Sequence, residues 1–485
     1  MDILFYALLI PLLGALVVYL VPAGVINIVH IAFSAATSFV LLKLVFIASS
    51  GEILYALDSN LFLDPLGAVF LFIIAVSGFF INLYFPTYIK WQCLSVIKKK
   101  VLLSLAHITV FAMILASISN NLILMWAAIE ATTIATLFMV TYKDDKKIIE
   151  AGYKYIMVCS IGLSLAMFAT ILLYSSAFHT FGDVKELIFF SFLQNTRDLD
   201  PTLSKIVFIF ALIGFGTKAG LAPTHTWLPD AHASGPAPTS AMLSGIVLKV
   251  AMLGLIRYYI IVLNNAGPAF VEQTMLISGL FTTFLAGIFL IRQHDIKRMF
   301  AYHSVVHMGV VAFGLGVGGK LGVFAAIFHC LAHSLTKALA FLVTGNTGRI
   351  YGTNDMTKMG GMIKIAPVTT VLLGIAICSL VGVPAFSIFV SEFMMFKASI
   401  MDAQYLIAIL FAIALLIIFI ADFSHFFLAG FNEPRGKVHH NGEMSFYENL
   451  PVIAFGILVI AFGVWKFEFF WGLIGASVDM IRGLQ

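Results

Sequence analysis

Charged residues are scarce in this chain of 485 residues, since Asp, Glu, Lys and Arg make up 11% of it while hydrophobic residues make up 61%. Soluble proteins carry roughly a quarter charged residues and about half apolar ones. The composition therefore excludes a soluble globular protein. Long polar stretches are also lacking, because the longest, residues 178–203, is too short to bury a core of its own. This predicts a single integral membrane domain over residues 1–485.

Cysteine is rare as well, and the four cysteines, Cys93, Cys159, Cys330 and Cys378, are far apart. This spacing excludes a CxxC pair or a cluster-binding run formed by sequence neighbours. The glycine-rich residues 314–319 close an apolar run and follow no strand, so they are not a dinucleotide-binding loop. No basic patch of the nucleic-acid-binding type is seen. We therefore expect no cofactor, metal or nucleic acid in this chain.

Alternating apolar and polar residues, the pattern of a membrane β-barrel, are absent, and continuous apolar runs take their place. About 20 apolar residues cross a bilayer as a helix. The runs predict an all-α integral membrane fold of about 14 transmembrane helices. Residues 1–22 lack the basic start and cleavage site of a signal peptide and are expected to form the first span. The predicted spans are residues 3–22, 26–49, 65–85, 101–118, 121–141, 152–176, 204–223, 239–263, 272–292, 298–316, 320–346, 366–397, 404–430 and 450–475.

Basic residues concentrate in alternate loops, which all lie on one side of the membrane. The positive-inside rule places these loops in the cytoplasm and both termini on the outer side of the cytoplasmic or inner membrane. The loops after spans 3, 5, 9, 11 and 13 contain Lys90, Lys98, Lys99, Lys100, Lys143, Lys146, Lys147, Arg292, Lys297, Arg298, Arg349, Lys358, Lys364, Arg435 and Lys437.

Two spans are interrupted. Pro223, with Pro229 behind it, breaks span 7, and Gly382 with Pro384 breaks span 12. Broken helices at matching places in two halves are typical of inverted-repeat transporters, whose ion site lies between the repeats. We therefore predict two inverted five-helix repeats, spans 4–8 (residues 101–263) and spans 9–13 (residues 272–430).

Three charged residues of the first repeat lie deep within spans. Glu130 is in the middle of span 5, Lys218 precedes the break in span 7, and Lys249 is in the middle of span 8. A charge at the bilayer centre costs on the order of 3 kcal/mol, so such residues usually have a functional role. If Glu130 and Lys218 face each other, the pair would stabilise both charges. By contrast, we expect cations near span ends to be structural anchors that reach the interface: Lys43, Arg257 and Lys466.

The second repeat contains a row of ionisable residues on span 11. His329, His333 and Lys337 are four residues apart, which places them on one helix face over roughly 12 Å. Because histidine titrates near neutrality, such a row can pass a proton. Another pair with the same spacing, His303 and His307, lies on span 10, and a lone helix histidine is more often a packing residue. The predicted proton pathway comprises Glu130, Lys218, Lys249, His307, His329, His333, Lys337 and Glu392.

The segment GFGTKAGLAPTHTWLPDAHASGPAPTSAMLSGIVLK resembles the antiporter-like subunits of respiratory complex I, membrane-bound hydrogenases and multisubunit cation/proton antiporters. The resemblance extends over nearly the whole chain. It implies that the glutamate of span 5, the lysines of spans 7 and 8, the histidines and lysine of span 11 and Glu392 form the family's hydrophilic axis. AYHSVVHMG is similar to the family's tenth-span segment, with His307 matching, whereas His303 replaces an expected small polar residue and has no assigned role.

IEATTIATLFMV and PAFSIFVSEF most resemble the F-type membrane subunit of formate-hydrogenlyase-class energy-converting hydrogenases, with the M-type NADH-quinone oxidoreductase subunit as the alternative. The resemblance implies a proton-translocating subunit without a redox cofactor of its own. It also implies partners, namely other membrane subunits and a peripheral redox arm that holds iron-sulfur clusters and nickel-iron or flavin. The sequence leaves open the electron donor and acceptor, and whether the ion is H⁺ or Na⁺.

Two other function classes are compatible with the same residues. A stand-alone or multisubunit Na⁺/H⁺ antiporter could use the same buried charges. A haem-binding electron carrier could use a histidine pair such as His303 and His333, provided that the two side chains lie on facing helices.

Overall fold

The computed structural model describes residues 3–431, 433, 436–440 and 442–483. Its helices are α1 (Ile3–Leu20), α2 (Ile26–Ser49), α3 (Pro65–Trp91), α4 (Val96–Ser117), α5 (Leu122–Val140), α6 (Lys146–Phe181), α7 (Phe190–Leu193), α8 (Pro201–Ala219), α9 (Trp227–Ser234), α10 (Ala237–Met242), α11 (Leu248–Ala266), α12 (Pro268–Leu290), α13 (Ile296–Val317), α14 (Gly319–Tyr351), α15 (Met362–Ile365), α16 (Pro367–Leu380), α17 (Ser387–Met401), α18 (Tyr405–Gly430), α19 (Phe446–Val464) and α20 (Glu468–Arg482). Short 3₁₀ helices span Lys185–Ile188, Thr224–Thr226 and Met356–Lys358, and a π-helix spans Leu243–Val247.

Thirteen helical segments within the described residues are long and apolar enough to cross a membrane. The remaining predicted span, residues 366–397, consists of the shorter helices α16 and α17. Polar caps define where several spans begin: Asp64, Asn121 and Asp295 each accept backbone N–H bonds at the start of α3, α5 and α13. The predicted all-α integral membrane fold is confirmed.

Both predicted helix breaks are present. In span 7, α8 ends at Ala219, Gly220 adopts a left-handed φ of 88°, and α9 begins only at Trp227. In span 12, α16 ends at Leu380 and Gly382 has a φ of 70° before α17 begins. Only glycine adopts such angles without a steric cost. The breaks therefore separate each span into two helices near its middle.

Span 8 contains an irregularity that the sequence analysis missed. Its helix passes through the π-helix Leu243–Val247 between α10 and α11, two residues before Lys249. An extra residue in a helical turn displaces backbone carbonyls from the regular pattern, and such turns occur frequently at functional sites.

Several predicted boundaries need correction. The last predicted span, residues 450–475, is two helices, because the chain becomes extended at Trp465 and Phe467 between α19 and α20. Span 6 is longer than predicted, since α6 has 36 residues. The loop after span 2 contains an antiparallel hairpin of β1 (Leu54–Ala56) and β2 (Leu61–Leu63), with Leu54 opposite Leu63.

Arg257 is not the interfacial anchor that its position near a span end suggested. Only 1% of its surface is exposed, and both terminal guanidinium nitrogens bond to the carboxylate of Asp64 at the start of α3. The guanidinium also lies 4.3 Å from the ring centre of Phe190. Arg257 is therefore surrounded by the hairpin and α7 and does not reach the membrane interface. Lys43 and Lys466 are exposed, and Arg435 lies outside the described residues.

Burial is greatest in the helices that carry the predicted pathway. In Ala237–Ala266 and Gly319–Tyr351, every residue of the most apolar stretch is buried. In Ile296–Val317, almost every residue of that stretch is buried. In peripheral helices such as α1, α2 and α18, only about a third of the residues in the most apolar stretch are buried. The ionisable side chains near the middle of α11, α13 and α14, such as Lys249, His307 and His333, are therefore enclosed by protein rather than by lipid.

Candidate functional site

Glu130 and Lys218 are joined through a hydroxyl group. Lys218 Nζ donates a hydrogen bond to Thr133 Oγ1 over 2.9 Å, and Thr133 Oγ1 donates to Glu130 Oε2 over 3.4 Å. Thr133 follows Glu130 by one helical turn on α5 and fills the space between the two charges. The two side chains therefore face each other, as considered from the sequence, but through a hydroxyl group rather than as a direct ion pair.

Lys218 is fully buried at the helix break. The hydroxyl of Tyr155 accepts a second hydrogen bond from Lys218 Nζ over 2.6 Å. Tyr155 stacks on Trp227 with ring centres 4.6 Å apart, and Trp227 Nε1 donates to the carbonyl oxygen of Thr217 over 2.9 Å. The chain reversal at Gly220 thus returns the start of α9 to the lysine and holds its aromatic neighbours in place.

Glu130 is only partly buried, whereas Lys218 is fully buried. Ser160 Oγ on α6 donates to Glu130 Oε1 over 2.6 Å. Together with Thr133, this gives each carboxylate oxygen a hydroxyl donor.

Lys249 depends on the π-helix for its partner. Its Nζ donates to the carbonyl oxygen of Ser244, one of the residues of that irregular turn. The Ser244 hydroxyl in turn bonds to that of Ser304 on α13 over 2.6 Å. The lysine is fully buried and interacts electrostatically with His333 and Lys337 of α14. Lys249 therefore lies at the junction between the two predicted repeats.

The histidines of α13 and α14 form one cluster. His307 Nδ1 lies 3.2 Å from His329 Nε2, and the rings of His307 and His333 are centred 4.8 Å apart. The ring of His303 is 5.9 Å from that of His307. One turn beyond His333, Lys337 Nζ donates to the carbonyl oxygen of Phe300 over 2.6 Å. All five ionisable side chains are fully buried, so the predicted row on span 11 is part of a wider cluster.

Glu392 is next to this cluster and follows the break in span 12. Its Oε1 lies 3.9 Å from His307 Nδ1, and the neighbouring Ser391 hydroxyl bonds to His329 Nδ1 over 2.8 Å. A Cβ atom at Gly382 would collide with the carboxylate, so the glycine provides space as well as conformational freedom. A cavity of about 340 Å³ lies beside Glu392, lined mainly by apolar residues that include Phe393 and Phe419. At this end of the row, the Glu392 carboxylate is thus the last ionisable side chain before the surface of the protein.

A polar cavity of about 920 Å³ opens among the basic loops. It is lined by Lys143, Lys154, Asp230, Asp295, Lys297 and Arg298 together with residues of α3 and α14. Arg298 Nη1 bonds to Asp230 over 2.7 Å, and the buried Lys297 Nζ donates to the carbonyl oxygen of Gly235 over 2.6 Å. Burial raises the pKa of Asp295, whose carboxylate caps α13. The cavity brings charged groups from the loop surface to the buried start of α10.

The structure adds residues that sequence reasoning did not select. Thr133, Tyr155 and Ser160 have no distinguishing sequence pattern, because hydroxyl residues are common in membrane helices. Asp422 is different: it stands in the apolar stretch LIIFIADFSHFF and could have been found as an isolated intramembrane charge. His232 is buried and stacks on Phe341, with ring centres 4.8 Å apart.

The haem hypothesis is not supported by the geometry. The His307 ring packs against both His303 and His333, with centre separations of 5.9 Å and 4.8 Å, so these two side chains do not flank a gap for a macrocycle. His303 Nε2 is moreover bonded to Asp422 over 2.6 Å. Within the described residues, no group of three or more His, Cys, Asp or Glu side chains is arranged to hold a metal ion.

Comparison with known proteins gives consistent results. A 35% identical relative, "Hydrogenase-4 component F homolog" of Methylacidiphilum infernorum, matches over 83% of this chain and 84% of its own length. A subunit of an Na(+)/H(+) antiporter from Alkalihalophilus pseudofirmus is 27% identical over 72% of this chain and 69% of its own length. These relatives confirm the predicted resemblance to antiporter-like subunits.

The fold is also found in a solved structure, that of "the membrane-bound sulfane sulfur reductase (MBS), an archaeal respiratory membrane complex". A chain of that complex superposes with a TM-score of 0.88 at 21% identity, covering 99% of this chain and 98% of its own length. Residues 119–418 match the family described as "NADH:quinone oxidoreductase/Mrp antiporter, TM". The chain therefore belongs to this family of antiporter-like membrane subunits.

Proposed function

We propose that this chain translocates protons as the antiporter-like subunit of an energy-converting hydrogenase or a complex I-type oxidoreductase. The observation that carries the proposal is the row of ionisable side chains in the interior, from Glu130 to Glu392. Buried charges are costly in a membrane protein, and groups of them occur mainly on ion pathways and proton relays. Their number here exceeds what anchoring of the helices requires.

The first repeat offers a direct relay. Lys218 donates to the Thr133 hydroxyl and that hydroxyl donates to Glu130, so each hydrogen bond points toward the carboxylate. A proton leaving the ammonium group can be received by the hydroxyl while the hydroxyl proton moves to the carboxylate. The net result is a neutral lysine and a neutral glutamate, which removes the charge of the buried lysine and that of the partly buried glutamate in one event.

The second repeat has the groups needed to accept and release protons. Lys249 acts electrostatically on His333 and Lys337, so a change in the charge of one alters the proton affinity of the others. Contacts among His333, His307 and His329 continue toward Glu392. We infer that the pathway runs along the mid-depth of the membrane through Glu130, Lys218, Lys249, His307, His329, His333, Lys337 and Glu392.

The repeats and the orientation belong to the same proposal. Residues 101–263 and 272–430 form the two inverted units, supported by the helix breaks in α8–α9 and α16–α17. Basic loops around the 920 Å³ cavity face the cytoplasm, and both termini face the outer side of the cell membrane. The cavity then gives cytoplasmic protons access to the region of Lys297.

The redox chemistry is proposed to take place in partner subunits. Relatives and structural neighbours are named as components of multisubunit respiratory or hydrogenase complexes, which supports membrane subunits as neighbours. We propose that a peripheral arm with iron-sulfur clusters and a nickel-iron centre or flavin supplies the energy. This chain contributes the ion pathway.

A Na⁺/H⁺ antiporter is the second candidate, favoured by the 27% identity to a subunit of an Na(+)/H(+) antiporter. The two candidates differ in their need for redox partners. An antiporter would confer salt tolerance on a salt-sensitive host without a redox complex, whereas a redox-driven subunit would not.

The proposal is tested in the assembled complex reconstituted into vesicles, with ion uptake driven by the complex's own redox reaction. Lys218→Ala and Glu130→Gln should each abolish proton uptake, while Lys466→Ala, at an exposed cation, should leave it unchanged. Uptake measured with and without Na⁺ distinguishes the transported ion. Normal proton uptake by both pathway variants in intact complexes would refute the proposal.

A further inference from the structure

Asp422 on α18 lies outside the proposed row but contacts it directly. One carboxylate oxygen lies 2.6 Å from His303 Nε2, and both side chains are fully buried. Lys337 of α14 also acts electrostatically on Asp422. The contact with His303 therefore connects the buried carboxylate to the central cluster rather than leaving it isolated in the wall of the bundle.

The His303 side chain lies between Asp422 and the histidine cluster. Its Nε2 is bonded to Asp422, and its ring packs against that of His307 with centres 5.9 Å apart. Within the described residues its Nδ1 is buried and has no hydrogen-bond partner. An imidazole that receives a proton on one nitrogen can release another from the opposite nitrogen. His303 therefore connects Asp422 to the histidine cluster.

Toward the basic loops, the next group is His425. It follows Asp422 by three residues, which places both on the same face of α18. His425 is 8% exposed, and its Nε2 is buried without a hydrogen-bond partner in the described part of the chain. His294, exposed in the loop between α12 and α13, acts electrostatically on it. Ionisable groups thus extend from the loop surface to the buried cluster.

We propose that His425, Asp422 and His303 form a second proton access route, from the side of the basic loops to the histidine cluster of α13 and α14. The route rests on the proposed function, because it delivers protons to that pathway. His425 in its protonated form transfers a proton to the Asp422 carboxylate. Asp422 passes it to His303 Nε2, and His303 releases the proton from Nδ1 toward His307. The transfer leaves His303 with its proton on Nε2 instead of Nδ1, and rotation of the imidazole ring restores the starting tautomer before the next proton arrives.

This route differs from the 920 Å³ cavity in position. The cavity lies among α3, α9, α13 and α14, whereas the His425 route follows α18 at the edge of the second repeat. The two access routes would therefore be separate and would open on the same side.

Aqueous access is tested by thiol labelling. In a Cys93→Ser background, His425→Cys should react with a charged, membrane-impermeant thiosulfonate added from the side that labels the native, exposed Cys93. Ile418→Cys is the matched control, because Ile418 is buried on the same helix two turns further from the basic loops. Failure of His425→Cys to react from that side, or equal reaction of both cysteines, overturns the route.

Proton transfer is tested by Asp422→Asn in the reconstituted complex. The proton uptake rate should fall roughly a hundredfold, the lower end of what a positioned proton donor contributes, and Asp422→Glu should restore most of it. Asp479→Asn, the same change at an exposed ion pair with Lys320, should have no effect. A native gel verifies assembly of each variant.

Lys218→Ala, measured in the same vesicles, separates the two proposals. If it abolishes uptake while Asp422→Asn leaves uptake unchanged, the access route is wrong and the proposed function stands. If Lys218→Ala itself has no effect, the proposed function fails. Loss of uptake in both variants, with rescue by Asp422→Glu, supports both.

Discussion

Lys218 Nζ donates a 2.9 Å hydrogen bond to Thr133 Oγ1, and this hydroxyl connects the lysine to Glu130. Replacing a direct ion pair by a bridged one has a physical consequence. The two charges stay far enough apart to avoid a strong, permanent pair, while a proton can still pass between them through the hydroxyl group.

Thr133→Val should therefore slow proton uptake by roughly a hundredfold, because valine keeps the shape of threonine but cannot relay a proton. The loss of stability should be only about 1 kcal/mol. Uptake by reconstituted complex measures the first effect and thermal unfolding the second. Thr132→Val is the control, since the Thr132 hydroxyl donates to the nearby carbonyl oxygen of Ile129 and not to a pathway residue. Equal effects of the two substitutions would contradict the relay.

Tyr155→Phe removes the second acceptor of Lys218 while leaving the stacking on Trp227 in place. We expect slower uptake, since the ammonium group loses one of its two side-chain partners and its orientation toward Thr133. Tyr258→Phe removes an equally buried hydroxyl that bonds to Thr170 on the same bundle. If Tyr258→Phe decreased uptake by the same amount, the slower uptake of Tyr155→Phe would result from lost stability and not from the lost hydrogen bond to Lys218.

Arg257→Met should destabilise the chain by about 3–5 kcal/mol, because it leaves the Asp64 carboxylate buried without its counter-charge. Adding Asp64→Asn should recover part of the loss, since asparagine can still cap α3 without bearing a charge. Thermal unfolding of the detergent-solubilised protein measures both. Lys466→Met, at an exposed pair with Glu468, should cost less than about 1 kcal/mol. A small effect of Arg257→Met would show that the pair is not structural.

The burial of Asp295 leads us to expect that the stability of the protein depends on pH. Burial raises the pKa of its carboxyl above the unfolded value, so its contribution to stability is greatest at low pH and is lost as the pH rises through the folded pKa. Relative to Asp295→Asn, which can still cap α13, the parent protein should lose stability as the pH rises above about 4, the value of an unperturbed aspartate. Unfolding temperatures across this range test it.

The control for this prediction is Asp145→Asn, because Asp145 caps α6 in the same way but is exposed. The exposed position of this second cap makes Asp145→Asn a test of the substitution itself without the burial of Asp295. A pH profile for Asp295→Asn identical to the parent profile would contradict the prediction.

Much of the fold was predictable because span formation is a local property. Apolar runs, the glycine and proline breaks and the rare charges are all visible within windows of about 20 residues. The errors occurred where local information is insufficient. Residues 450–475 are apolar apart from Lys466 and Glu468 yet contain two helices, and the π-helix before Lys249 has no composition that distinguishes it from a regular turn.

The sequence by itself determined the membrane fold and the positions of the buried charges along the chain, since a bilayer sets strict rules for hydropathy and for backbone hydrogen bonding. Tertiary structure alone decided the partner of each charge. Lys218 and Thr133 are 85 residues apart, His303 and Asp422 are 119 apart, and Asp64 and Arg257 are 193 apart. Such contacts depend on which helix faces meet, and this is a property of the packed bundle as a whole.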